Sequence, residues 1–299
     1  MTAVLLVRYG ELALKSPPVR REFEGALRRD LLDRFVRAGL AARVRADRGH
    51  LYLEVDDAER ALPLVRCVFG VTSVSAVREV ATDRAAIRDL LLELAEPRLA
   101  PGVSFAVRAR RTGSHPFTSQ ELARDLGGDL LERFADRQLR VDLTHPAVEL
   151  FVEVRGPRTY LYFDRASGPG GLPLGVAGRL VALVDRRRGA LGAYLMMKRG
   201  CRVGLVAPSG SEPLARDVLC RFDPAATVET VPNEPSGWPA ALVALADRSR
   251  ADGVVLPLGV DEFPAAKSAW GDRVLFSPTV GLDEPEVERR WQQIATLAG

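Results

Sequence analysis

The chain has 299 residues, which ordinary domain sizes divide into about two domains, or three small ones. With 47% hydrophobic and 27% charged residues and a mean hydropathy near zero, it can bury a sizeable core, which excludes a mainly disordered or fibrous class. No apolar run nears the roughly 20 residues that a bilayer crossing needs, and the N-terminus lacks a basic leader, so the expectation is a cytoplasmic protein with no membrane partner.

Lys and Arg number 42, but only Lys15, Lys198 and Lys267 are lysines, so 39 are arginines. The net charge of +3 lies in residues 1–175, which hold 27 basic and 24 acidic groups, while 176–299 hold 15 of each. That margin does not establish polyanion binding; only clustering on one face would. Cys67, Cys201 and Cys220 form no C-x-x-C pair, and His50, His115 and His145 are scattered. The expectation is therefore buried thiols and no metal or other cofactor, although Arg199 and Arg202 beside Cys201 leave a reactive thiol open there.

In chain order, 4–7 reads as a strand and 18–38 as a helix, with Phe23, Leu27, Leu31 and Phe35 on one stripe and Gly39 as its stop. Strands at 42–46 and 50–55 form a hairpin through Asp47-Arg48-Gly49, followed by a short helix at 58–66 and a strand at 71–80. The order β-α-β-β-α-β is the ferredoxin-like pattern. A second unit reads as helix 83–96, strand 103–110, helix 119–135 capped at Thr118/Ser119, and strands 148–154 and 159–165. The glycine- and proline-rich stretch 168–178 is a linker or a closely packed connecting loop. Beyond it, strands at 179–184, 201–208 and 253–258 alternate with helices ending at 200, at 238–250 and at 284–297, which predicts a parallel α/β sheet.

Two segments carry chemistry. RYGELALKS (8–16) is a polar loop, or a loop presenting Arg8 and Lys15 to a polyanion. In FAVRARR (105–111), strand alternation sends Phe105, Val107 and Ala109 one way and Arg108 and Arg110 the other, with Arg111 nearby. This stripe is a solvated sheet face, or a phosphate contact beside the amides of the helix that opens at Thr118 and Ser119.

YGELALK, RARR followed by FTSQELARDLGG, RVDLTHPAVELFVEVRG, TYLYFDR, GPGGLPLGVAG and AYLMMKRG together resemble successive landmarks of the tRNA 4-thiouridine synthetases (ThiI). The resemblance implies an α/β protein with an α+β N-terminal part: a ferredoxin-like domain over 1–80, a tRNA-holding THUMP domain over 81–167, and a parallel-sheet, Rossmann-like PP-loop domain of the ATP pyrophosphatase type over 168–299. It implies tRNA as the partner, not DNA, with Lys15, Arg108, Arg110, Arg111, Thr118 and Ser119 as RNA-binding candidates. A homodimer and a separate catalytic partner protein are further expectations. Arg155, Arg158 and Arg165 are weaker RNA candidates.

The chain departs from the family at its Ser-Gly-Gly-x-Asp-Ser loop, which Val184, Asp185, Arg186, Arg187, Arg188 and Gly189 replace. A pyrophosphate cradle needs bare backbone amides, whereas here Asp185 and Arg186 occupy the glycine positions and Arg188 stands where the family has a carboxylate. The turn is an RNA or other phosphate contact, or a solvated loop. Residues 256–270 lack the polar pattern of the family's nucleotide segment, and no cysteine follows Cys220 at the place of the family's acceptor thiol. The expectation is a tRNA-binding protein that has lost adenylation and sulfur transfer. The alternatives are a divergent synthetase using ATP and a separate sulfur donor, or a subunit presenting tRNA to a modification complex.

Overall fold

The computed structural model describes residues 3–47, 49–270 and 273–299. They form two compact units: Met1–Leu6 with Leu53–Ala58 and Ser75–Ala166, and Val7–Tyr52 with Glu59–Val74 and Ser167–Gly299. Strands β1 (Ala3–Tyr9), β3 and β4 contribute residues to both, so neither unit is one continuous stretch of chain.

After β1 come α1 (Pro17–Arg37), β2 (Ala42–Asp47), β3 (His50–Val55), α2 (Ala58–Arg66) and β4 (Val71–Ala81). This is the predicted β-α-β-β-α-β order, with strands ranked β2-β3-β1-β4. Pro17 and Pro18 open α1, where a missing amide costs nothing, and Gly39 at φ +64° closes it. The polar loop read at 8–16 is partly regular: Arg8 lies inside β1 and is buried, and Glu11–Leu14 form a 3-10 turn before an exposed Lys15. Arg48, in the predicted hairpin, lies outside the described residues.

In the first unit, β4 is followed by α3 (Arg84–Ala95), β5 (Ser104–Thr112), α4 (Ser119–Arg133), β6 (Arg140–Val141), β7 (Val148–Arg155) and β8 (Arg158–Tyr162), before a two-residue β9 (Ala166–Ser167). Its strand order is β4-β8-β7-β5-β6, with β5 parallel to both neighbours. Alternation works as read: Phe105, Val107, Leu150, Val152 and Val154 pack against Leu122, Leu126 and Leu130 of α4 and Ile87 and Leu91 of α3. Arg108 and Arg110 therefore take the opposite face.

The second unit contains β10 (Arg179–Leu183), α5 (Arg187–Lys198), β11 (Arg202–Pro208), the one-turn α6 (Cys220–Phe222), β12 (Val228–Val231), α7 (Trp238–Ser249), β13 (Gly253–Val255), α8 (Phe263–Trp270), β14 (Val274–Phe276) and α9 (Glu284–Ala298). The strands form a wholly parallel sheet in the order β12-β11-β10-β13-β14, with α5 and α9 on one face and α7 on the other. β12, α8 and β14 escape the sequence reading because they are short and their apolar periodicity is weak. The glycine-rich 168–178 stretch is the closely packed loop rather than a free linker. A Cβ on Gly171 would sit 2.2 Å from the Lys198 carbonyl oxygen, and Leu172 N–H donates to that same oxygen at 3.0 Å.

Within this unit the Phe69, Tyr194 and Phe222 rings pack 5.0–5.5 Å apart, and Arg34 of α1 is tied to the same place. Its guanidinium pairs with Asp30 at 3.1 Å and donates to the Arg221 carbonyl at 2.7 Å and to that of Phe222. Both charged residues are buried, so removing one strands the other. Arg34→Ala is expected to cost about 3–5 kcal/mol in urea unfolding, and Arg34→Met with Asp30→Leu considerably less, because it removes both buried charges together.

Candidate functional site

Two places on the molecule carry the candidate chemistry. In the first unit β6 pairs only with Ser104 and Phe105, so the edge of β5 is uncovered beyond that point, next to the start of α4. A groove of about 410 Å³ lies there, lined by Arg108, Arg110, Ser119, Gln120, Glu149 and Phe151 among others. The fold thus brings together three of the residues read from sequence, Arg108, Arg110 and Ser119.

Their free valence differs. Arg108 is spent locally, donating to Glu149 at 2.8 Å and to the Leu143 carbonyl at 2.8 Å. Arg110 is exposed and its side chain has no hydrogen bond or ion pair among the described residues, and Arg111, also exposed, gives one N–H to the Gly113 carbonyl at 2.9 Å. Lys15 belongs to the second unit and does not line the groove. Of the weaker candidates, Arg155 pairs with Glu153 at 2.9 Å and Arg158 with Glu79 at 2.8 Å.

The α4 start is more occupied than an open anion site. Thr118 and Glu121 form a capping box: the Glu121 amide donates to the Thr118 hydroxyl at 3.1 Å, and the Thr118 amide donates to the Glu121 carboxylate at 2.7 Å. Thr118 therefore has its hydroxyl proton but no amide to offer, and Ser119 and Gln120 keep the first-turn amides. Sequence reasoning passes over Phe151, whose ring stacks on Tyr162 at 4.9 Å and 7° while remaining half-buried at the groove. Its signal is a large apolar residue on the non-core face of VELFVEV, between Glu149 and Glu153.

The second place is the α/β sheet's topological switch point. Strand order reverses between β10 and β13, the position at which open parallel sheets receive ligands beyond their carboxyl ends. The β10–α5 turn lies there, and its residues are engaged with one another. Arg186 donates to Asp185 at 2.5 Å and across the crevice to the Pro257 carbonyl at 3.1 Å. The Asp185 carboxylate lies over the first turn of α5, since a Cβ on Gly189 would come 2.8 Å from its Oδ1 and 2.4 Å from the Leu183 carbonyl oxygen. Helix α5 begins without a side-chain cap and with basic residues in its first turn, and the Asp185 Oδ1 beside it is buried without a hydrogen-bond partner among the described residues.

Of the two alternatives for this turn, a solvated loop does not describe Arg188, which lies buried in the first turn of α5. It is 8% exposed, donating to the carbonyls of Thr279 at 3.0 Å and Leu282 at 2.8 Å and pairing with Glu284 at 2.8 Å. The adjoining crevice, about 490 Å³, is lined by Arg186 and Arg188 against Asp261, Glu262, Asp283 and Glu284, a net charge of −2. A lining of that sign repels rather than attracts an anion.

The three thiols are held toward their protonated form. Burial pushes all three up from the usual cysteine value, and Cys201 is buried with its S–H directed to the Ala177 carbonyl at 3.3 Å, despite its flanking arginines. Among the described residues no cluster of His, Cys, Asp or Glu could hold a metal ion, and no helix is long and apolar enough to cross a membrane.

Residues 4–75 match the ThiI ferredoxin-like domain and residues 81–164 the THUMP domain. The chain carries the N-terminal domain pair of the ThiI family. It is 37% identical over 206 residues to a probable tRNA sulfurtransferase of Methanothermobacter thermautotrophicus, covering 67% of this chain and 51% of that protein. A tRNA sulfurtransferase of Pyrobaculum aerophilum is 36% identical over 208 residues, 68% of this chain and 41% of that one. The chain thus spans about half the length, or less, of these curated relatives. Among solved structures, PH1313 of Pyrococcus horikoshii superposes with a TM-score of 0.81 at 23% identity, over 97% of this chain and 99% of that one. A 4-thiouridine synthetase in complex with RNA and ATP gives 0.80 at 22%, over 99% and 86%. The fold of the ThiI-like chain is therefore shared along nearly its whole length, the parallel α/β sheet included.

Two outcomes follow from this geometry. Hydrogen bonds from Thr118 hold the Glu121 carboxyl below its usual 4.5, so the capping box is complete above that pH and is lost as pH falls through the lower folded value. Thr118→Ala should return part of the shift in a carbon-detected NMR titration and cost about 1 kcal/mol. Arg188→Asp, which places a carboxylate where the ThiI family has one, should destabilise the fold by about 3 kcal/mol, because it leaves the Thr279 and Leu282 carbonyls without their donor beside a repelled Glu284. Thermal and urea unfolding check this.

Proposed function

We propose that this ThiI-like chain binds tRNA through the THUMP groove and does not adenylate it. The observation that carries the binding half is the convergence of the unpaired Arg110, the first-turn amides at Ser119 and Gln120, and the half-buried Phe151 ring in one groove. Cationic forks and helix-start amides hold phosphate, and an aromatic face stacks an unpaired base, a combination suited to single-stranded RNA ends and loops. Arg108 serves as a strut between β5, β7 and the 142–145 turn rather than as a contact, and Arg111 and the Thr118 hydroxyl flank the groove. The family relationship supplies tRNA as the RNA.

The absence of adenylation is supported by the switch-point crevice. Arg186, Asp185 and Arg188 spend their charge on the protein's own groups, so a triphosphate would have to displace an intramolecular network and enter against a net negative lining.

Binding of a tRNA transcript to the full chain should fall steeply with salt, and Arg110→Ala should weaken it and lower the slope of log K against log salt by about one. A slope that Arg110→Ala leaves unchanged removes the groove from the proposal. Incubation with millimolar ATP and tRNA should release no pyrophosphate. Pyrophosphate release that depends on both ATP and tRNA would instead establish a divergent synthetase.

A further inference from the structure

A cavity of about 370 Å³ on the α5–α9 face of the second unit is separate from both places described above. It is lined by Tyr194, Lys198, Arg289, Arg290 and Gln293, with Leu191, Ile294 and Leu297 among its apolar walls. Three cationic side chains line it and no carboxylate does. The Lys198 ammonium has no ion pair or hydrogen bond among the described residues, although the residue's carbonyl accepts from Leu172 N–H.

The two arginines are oriented from behind. Glu286 accepts from Arg289 at 2.7 and 2.8 Å and from Arg290 at 2.6 Å, and these bonds hold its carboxyl down at about 2, so it stays ionised and keeps both forks in place. One carboxylate cannot neutralise two arginines and a lysine, which leaves a net charge of +2 around the cavity. Tyr194, 5% exposed, brings a hydroxyl that has no hydrogen-bond partner among the described residues, and Gln293 is exposed with its amide equally unengaged.

We propose that this cavity binds a phosphate monoester bearing a small apolar or aromatic group. The monoester carries a charge near −2 at neutral pH, which matches the surplus, and arginine forks and a lysine ammonium are the donors that phosphate oxygens take. The aliphatic walls accept the organic part, and the volume lies within the range of small-ligand sites. Preorientation of the arginines by Glu286 removes part of the ordering cost of binding. The same chemistry is offered by a free mononucleotide or by a phosphate-bearing terminus of RNA.

The test uses the full chain, with adenosine 5′-monophosphate and a 5′-phosphorylated tRNA transcript as probes, and with Lys198→Ala and Tyr194→Phe as variants. Lys198 is at the surface end of α5 and Tyr194→Phe keeps the buried ring, so both variants should fold. Lys198→Ala should weaken binding of one probe by about tenfold, the worth of one charge-assisted contact, and Tyr194→Phe should weaken it less. Loss for the mononucleotide alone assigns a free metabolite; loss for the phosphorylated transcript but not for its 5′-hydroxyl form assigns the RNA terminus. Monophosphate binding that Lys198→Ala leaves intact, or no monophosphate binding together with unaltered transcript binding, overturns the proposal while leaving the THUMP groove untouched. A transcript that the wild-type chain fails to bind, with the monophosphate still held through Lys198, would sink the tRNA reading alone.

Discussion

A parallel α/β sheet delivers the amides of its first helix to the point where strand order reverses, and those amides need an anion or a cap. In this chain the Asp185 carboxylate lies over the start of α5, pressed there by a helix–strand approach so close that Gly189 has no room for a Cβ. Three consecutive arginines follow, and each finds an acidic partner on the protein itself: Arg186 with Asp185, Arg187 with Glu288 and Arg188 with Glu284. The cationic charge of this turn is thus paired within the protein.

That internal solution has a structural use. Arg188 holds the segment between β14 and α9 by its carbonyls, and α9 in turn packs Val287, Trp291 and Ile294 into the core shared with α5. The turn acts as a fastening, and losing its charge pattern would loosen the face that carries the basic α5–α9 cavity. The first unit makes the opposite use of its arginines. Arg108 is tied down as a strut, while Arg110, two residues on and on the same face, is left available. One short strand carries both a tied and an available arginine because alternate residues share a face but not their neighbours.

The ferredoxin-like order, the THUMP strands and the parallel sheet were all legible in the chain, since each rests on local signals: period-2 runs, the α1 stripe closed by Gly39, the Thr118 cap and a strong β10–α5–β11 pattern. β12, α8 and β14 were not, because three- and four-residue strands and a short helix carry too few residues for a period to emerge. Within the groove, Arg108, Arg110 and Ser119 could be named from alternation and capping. Phe151 and Gln120 required β7 and the α4 start to be placed beside β5.

The sequence by itself determined the longer strands and helices, the core-facing residues of those elements, and that bulky charged groups occupy a turn that is bare in related proteins. Only the tertiary structure decided where that charge goes: that Arg188 is buried against carbonyls far along the chain, that Arg108 is consumed by Glu149, and that Lys198 is left without a counter-ion. The reason is that periodicity and capping are set by neighbours within a few residues, whereas the partner of a long flexible ionic side chain is set by whichever distant segment the fold brings within about 3 Å.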